Sequence, residues 1–304
     1  MKKYLLMSIF ACTSMVSAQN ISKEKVQEVL STLASDEMKG RLVGTPENQK
    51  AAEYIAAQFK ANGLDYCTGD SFLVPFDYKG TTVYNVCGVK KGKSDKILGF
   101  SAHFDHIGVK NDVIYNGADD NASGTTAIIE IAEYFKTQKP KFSMVFMAFN
   151  GEEKGMLGSK AISKDEKLQP IYDKMVALFN LEMLATKSEF GDNAMYITGD
   201  EFSDLDELFN KKAVNGLKIH ADPYPKQKLF YRSDNVSFVK KRIVAHSFST
   251  VDMNNAKHYH QATDKVDIVN FDNLTNIINN IGATVKKLKP SNFNPQYNDT
   301  VKFD

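Results

Sequence analysis

The chain has 304 residues, 42% of them hydrophobic and 25% charged, an ordinary globular composition with length for a sizeable core in one large domain or two small ones. Its 38 Lys plus Arg against 37 Asp plus Glu leave a net charge of +1, which argues against a nucleic-acid or anionic-membrane partner. No segment approaches the ~20 apolar residues of a transmembrane span.

The chain opens Met1-Lys2-Lys3, continues with the mostly apolar run Tyr4 to Val16, and then reads Ser17, Ala18, Gln19. A charged start, an apolar middle and a small-residue cleavage site form an export signal. Residues 1–18 are therefore expected to be removed, leaving 19–304 as a single domain in the periplasm or secreted. Cys12 resembles a lipoprotein signal only loosely, because Phe10 stands where that signal prefers a small side chain. Cleavage leaves Cys67 and Cys87, which an oxidising compartment would allow to pair. Cys87 reads equally well as a small buried hydrophobe.

Ile21, Val26, Val29, Leu30 and Leu33 recur at helical spacing, and Thr45 with Pro46 opens a second helix that Gly63 stops. Ser35 to Thr45 reads as a loop, by default a solvated connector and alternatively a segment lining a cleft. Phe72 to Val89 predicts a hairpin turning at Lys79-Gly80. Lys96 to Ala102 is a short apolar run between breakers, hence a buried strand, and it delivers His103 and Asp105. A helical pattern opens at Ala122 to Gly124, just after Asp119 and Asp120; one of the two fits an N-cap. Ser143 to Phe149 is the next buried strand, ending at Asn150, Gly151, Glu152 and Glu153, and Val176 to Leu181 is another, ending at Glu182. Leu229 to Phe238 reads as a loop entering a helix, with Ser233 as its N-cap. Ile243 to Phe248 is a late strand, Lys257 to Asp264 carries His258 and His260, and Phe271 to Leu288 is an amphipathic closing helix. This alternation predicts an α/β fold, a mixed, largely parallel central sheet flanked by helices on both faces as a three-layer sandwich.

Ligands of open α/β sheets sit outside the carboxyl ends of the strands, where several of these polar residues fall. Alternate strand residues share a face, so Asp105 fits as the group that holds the second nitrogen of His103 and fixes its tautomer. Adjacent Glu152 and Glu153 need different work: one ligates a metal and the other takes a proton from water. His103, Asp120, Glu153, Glu182 and His260 offer two imidazoles and three carboxylates without thiolate, a set that suits Zn2+ and leaves positions open. A bridging carboxylate would let two metals share the site.

The ordered pieces H-F-D, G-A-D-D-N-A-S-G, N-G-E-E-K-G-M-L-G-S, N-L-E-M, R-S-D-N-x-S-F and Y-H-Q-A-T-D resemble the co-catalytic zinc aminopeptidases related to glutamate carboxypeptidase and transferrin receptor. The resemblance runs from about Ile21 to Lys287. It implies two Zn2+ per chain, with His103 and Glu182 on one metal, Glu153 and His260 on the other, and Asp120 between them. Glu152 would be the general base, and Tyr259 a candidate donor to the oxyanion. Peptides would be the substrates and the protein a monomer. Two departures stand out: many members have Asp where this chain has Glu182, and His where it has Asn235. A glutaminyl cyclase-like enzyme with one zinc is the alternative on the same fold, although those enzymes use tryptophan near the pocket and this chain has none. A metal-free, receptor-like binding module is a third reading.

Overall fold

The structure is a computed structural model and describes residues 20–303; the export-signal reading of residues 1–18, with Cys12, lies outside them. In chain order the strands are β1 Asp65–Tyr66, β2 Leu73–Tyr78, β3 Thr81–Lys90, β4 Ile97–His103, β5 Gly108–Lys110, β6 Val113–Tyr115, β7 Ser143–Phe149, β8 Met175–Leu181, β9 Ala194–Ile197, β10 Lys218–His220 and β11 Ala245–Ser249. One nine-stranded sheet runs β1-β3-β7-β4-β8-β11-β9-β10, with β2 also paired to β3, while β5 and β6 form a separate small hairpin. At its centre β7, β4, β8 and β11 are mutually parallel; β3 joins β7 and β9 joins β11 antiparallel.

Strands covered on both faces read as continuous apolar runs rather than alternating ones, and β7 shows why. Its Met144, Phe146 and Ala148 enter one core cluster, whereas Val145, Met147 and Phe149 enter another on the opposite face. The first face is covered by helices α1 Lys23–Leu33, α2 Pro46–Ala61, α3 Gly124–Tyr134 and the C-terminal helix Phe271–Lys287. On the second lie the short helices Leu157–Ile162, Gln169–Tyr172 and Val236–Val239. Phe100 stacks between Phe146 and Phe179 at 5.5 and 5.3 Å across three adjacent strands. Burying each such ring contributes about 1.5–3 kcal/mol, and truncating Phe146 to alanine would cost about 3–5 kcal/mol through the cavity left behind.

Local signals set the element ends. Ser22, Thr45 and Asn270 accept from the backbone N–H groups of Lys25, Asn48 and Asn273, and Pro46 occupies the first turn of α2, where its missing N–H is no loss. Lys79 and Gly80 both take positive φ, 54° and 81°, as a tight hairpin turn demands. Cys67 and Cys87 form a disulfide with Cα atoms 5.6 Å apart, tying the segment after β1 to β3. Among the described residues no helix is long and apolar enough to cross a membrane.

Two capping expectations fail for the same reason. Neither Asp119 nor Asp120 caps α3, which continues from a wide helical turn, Ala118–Ser123. Ser233 does not cap Val236–Val239; its hydroxyl donates to Glu182 Oε2 at 2.8 Å. In both cases tertiary partners outcompete the local helix end. The expected loop from Ser35 to Thr45 holds an irregular helical turn, Asp36–Arg41, and buries Arg41 completely.

Candidate metal centre

Three parallel strands lay out the site. β4 ends at His103, in register with Phe149, the last residue of β7, so Asn150 to Glu153 emerge beside it. Leu181 ends β8, and the next residue, Glu182, donates its N–H to Phe248 O of β11. Asp120 comes from the turn before α3, whose backbone is pinned because Asp119 N and Asp120 N donate to the Asp264 carboxylate at 2.7 and 3.0 Å. The adjacent aspartates divide their work. The Asp119 carboxylate turns to Ala185 N and Thr186 Oγ1, leaving Asp120 to face the histidines.

His103 Nε2 lies 3.0 Å from Glu182 Oε1 and 3.2 Å from Asp120 Oδ1. His260 Nε2 lies 3.2 Å from both Asp120 Oδ2 and Glu153 Oε2. Asp120 thus offers one oxygen to each imidazole, and the five residues fall into two groups that share it. Of the two histidines after Lys257, only His260 reaches this cluster; His258 pairs its Nδ1 with Thr263 Oγ1 at 3.0 Å.

His106, which the sequence reading passed over, also belongs here. Its Nδ1 comes 2.8 Å from Glu153 Oε1 and 3.8 Å from Asp120 Oδ2, yet neither ring nitrogen, nor Glu153 Oε1, has an aligned hydrogen-bond partner. The ring lies so close to Gly117 that a Cβ there would come 2.5 Å from His106 Cγ. The available signal was the second histidine of H-F-D-H, three residues after the first.

Asp105 is placed differently from expectation. The second nitrogen of His103 meets the Asp105 backbone carbonyl at 3.1 Å, with the carboxylate at 3.7 Å. That carboxylate instead accepts from Glu152 N at 3.0 Å and Glu153 N at 3.3 Å, because the chain turns straight after β4 and swings the side chain toward the β7 end. Asn235 is buried, and a hydrogen-bonded chain links it to Glu182. Ser247 Oγ donates to Asn235 Oδ1, Asn180 Nδ2 donates to both Ser247 and Ser233, and Ser233 donates to Glu182. Tyr259 stacks on His260 with ring centroids 3.9 Å apart.

A cavity of about 280 Å³ is lined by His103, Asp120, Glu152, Glu153, Glu182 and His260, with Tyr259 at its wall. Apolar lining comes from Met156, Met183, Leu229, Val251 and Met253, and exposed Arg232 also borders it. The Glu152 carboxylate forms no ion pair among the described residues, and burial pushes it well above the ordinary carboxylate range against the pull of His103.

Burial disfavours charge on His103, Asp120, Glu153 and His260, but their mutual attraction wins. Asp120 and Glu153 hold His260 up to about 10. Burial would lower His103, yet Glu182, Asp105 and Asp120 raise it well above the usual imidazole value. Burial would likewise raise Glu153, while His106 and His260 bring it down to about 2. Protons on His103 and His260 would therefore compete with a metal for these nitrogens. The orphaned nitrogens of His106, the orphaned Glu153 oxygen and the all-imidazole-and-carboxylate donor set fit zinc.

A probable zinc metalloprotease of Pyrenophora tritici-repentis is 28% identical over 195 residues, covering 59% of this chain and 44% of its own length. The chain thus spans less than half the length of that relative. The structure superposes on the LapA aminopeptidase of Legionella pneumophila with a TM-score of 0.70 at 20% identity, covering 87% of this chain and 71% of the other. A glutaminyl cyclase of Bacteroides thetaiotaomicron gives 0.68 at 16% identity, covering 90% and 100%; at these identities the likeness is one of fold. Residues 85–285, well over half of the chain, match Peptidase family M28, and the chain belongs to that family.

Proposed function

We propose that this protein is an exported two-zinc aminopeptidase that removes N-terminal residues from peptides, acting as a monomer through the single domain 19–304. The observation that supports it best is the division of the ligands into two groups that share Asp120. His103 and Glu182 would hold one zinc, Glu153 and His260 the other, and Asp120 both. When bound, zinc supplies Lewis acidity, polarising a carbonyl and acidifying water.

The remaining steps belong to the chain. Glu152 lines the cavity without an ion pair, and burial raises its proton affinity. It accepts the proton of the attacking water and returns it to the leaving amine. Tyr259, stacked on His260 in the cavity wall, would donate its hydroxyl to the developing oxyanion. Asp105 ties the backbone of both glutamates to the end of β4, and the methionine-rich wall accepts an apolar first side chain. Export fits both the N-terminal pattern and the Cys67–Cys87 disulfide.

Metal analysis and an amino-acyl-nitroanilide panel test the reading together. Two zincs per chain with release of nitroaniline are expected; one zinc with cyclisation of N-terminal glutamine would favour the cyclase, and no metal the binding module. Glu152→Gln should keep both zincs and lose at least ~100-fold in kcat. Near-wild-type turnover at full zinc occupancy would remove Glu152 from the role of base.

A further inference from the structure

The loop before α2 carries a guanidinium that the site does not use directly. Arg41 is fully buried, and among the described residues its guanidinium forms no side-chain ion pair. Four of its five N–H donors reach backbone carbonyls: Nε to Phe104 O, Nη1 to Leu33 O and Asn116 O, and Nη2 to Gly117 O, at 2.5 to 2.9 Å. Phe104 sits between His103 and Asp105, and Asn116 and Gly117 lead into Asp119 and Asp120. One planar fork thus bridges two of the loops that bear the proposed ligands.

The same segment reaches the third loop. Asn48 Nδ2 donates to Arg41 O, and the amides of Asn48 and Asn150 exchange hydrogen bonds at 2.9 and 2.8 Å. Asn150 is two residues before Glu152. The backbone is bent to make this possible: Lys39, Gly40 and Arg41 all take left-handed φ, 41°, 66° and 51°. A side chain at Gly40 would collide with Tyr115 O and the backbone of Gly108. Left-handed φ at the two non-glycine positions flanking a glycine is costly, and it accompanies a charged side chain turned inward. Burial lowers the guanidinium to about 10, with Asp264, Asp105, Asp120 and Glu153 opposing the fall, so it stays a cation beside the acidic cluster.

We propose that Arg41 is a positioning residue that, with Asn48, holds the three ligand-bearing loops in register and thereby sets the zinc affinity of the centre. This rests on the two-zinc reading above. Its guanidinium fork does what a lysine cannot, since an ammonium is a point charge without fixed donor geometry.

The test is zinc titration of the metal-stripped full chain against a chelating dye, for wild type, Arg41→Lys, Arg41→Met and Ile55→Val, together with metal-free thermal unfolding. Ile55 in α2 is buried in the apolar core and makes none of these hydrogen bonds, so it serves as a destabilised control. Arg41→Lys and Arg41→Met should each weaken zinc binding at least ~10-fold, the scale on which groups behind the ligands act, whereas Ile55→Val should lose stability and bind zinc as wild type does. Arg41 variants that titrate like wild type, or lose affinity only in step with the control, would overturn the clamp and leave the metal reading standing. A wild type that takes up no zinc would overturn both. If the Arg41 variants are insoluble, Asn48→Ala carries the same test: weakened zinc binding supports the clamp and unchanged binding refutes it.

Discussion

Asp105→Asn is the sharpest probe of how the centre is assembled. The Asp105 carboxylate accepts from two consecutive backbone N–H groups, Glu152 at 3.0 Å and Glu153 at 3.3 Å. Asparagine keeps one oxygen for one of them and presents an NH2 group to the other. The variant therefore loses one charge-assisted bond and leaves a backbone N–H without its partner in a partly buried turn, a cost of about 1.5–3 kcal/mol. At 1.4 kcal/mol per tenfold, this converts to a loss of roughly 10- to 150-fold, shared between zinc affinity and kcat/KM because the two N–H groups belong to the proposed base and a proposed ligand. Steady-state kinetics on an amino-acyl-nitroanilide and zinc competition against a dye read the two shares separately. If both stayed within twofold of wild type, the carboxylate would not be what holds the Glu152–Glu153 turn to β4.

Zinc affinity should rise with pH. In the metal-free protein His260 is held up to about 10 and His103 well above the usual imidazole value, so both carry protons at pH 7 that zinc must displace, and lower pH strengthens the competition. Calorimetric titration at pH 6 to 9 in buffers of different ionisation enthalpy should show proton release, and a pH-independent affinity would refute the sign. Glu182→Ala should preferentially remove the zinc shared with His103, and His106→Ala should weaken the other, whose Glu153 it contacts; two equally tight sites in either variant would exclude that residue. Removing the disulfide by Cys67→Ser with Cys87→Ser opens a loop with a sequence separation of 20. Chain entropy puts this at about 3 kcal/mol, or a Tm lower by roughly 5–10 °C; a scanning-calorimetry shift within 1 °C would contradict it.

What the sequence determined by itself was the set of elements and the identity of the acidic and imidazole residues at the strand ends. Ser143–Phe149 was readable to the residue because a strand covered on both faces has to be apolar throughout, and Thr45-Pro46 marked the start of α2 because capping chemistry is local. The parallel order of β7, β4 and β8 then brings His103, Glu153 and Glu182 to one rim, although they are far apart in the chain. Tertiary structure alone decided how side chains at that rim divide. Asp119 and Asp120 are adjacent in sequence, and nothing local says which turns to Ala185 and which to the histidines. His106 shows in sequence only as the second histidine of H-F-D-H, and its place beside Glu153, with the ring close against Gly117, is visible only in the fold. Arg41 looked like part of a surface connector, and only the fold shows it buried with its donors on the carbonyls of Leu33, Phe104, Asn116 and Gly117. Patterns of period and capping report what a residue does to its own few neighbours. Hydrogen bonds between distant segments depend on how those segments are packed, and one-dimensional spacing does not carry that information.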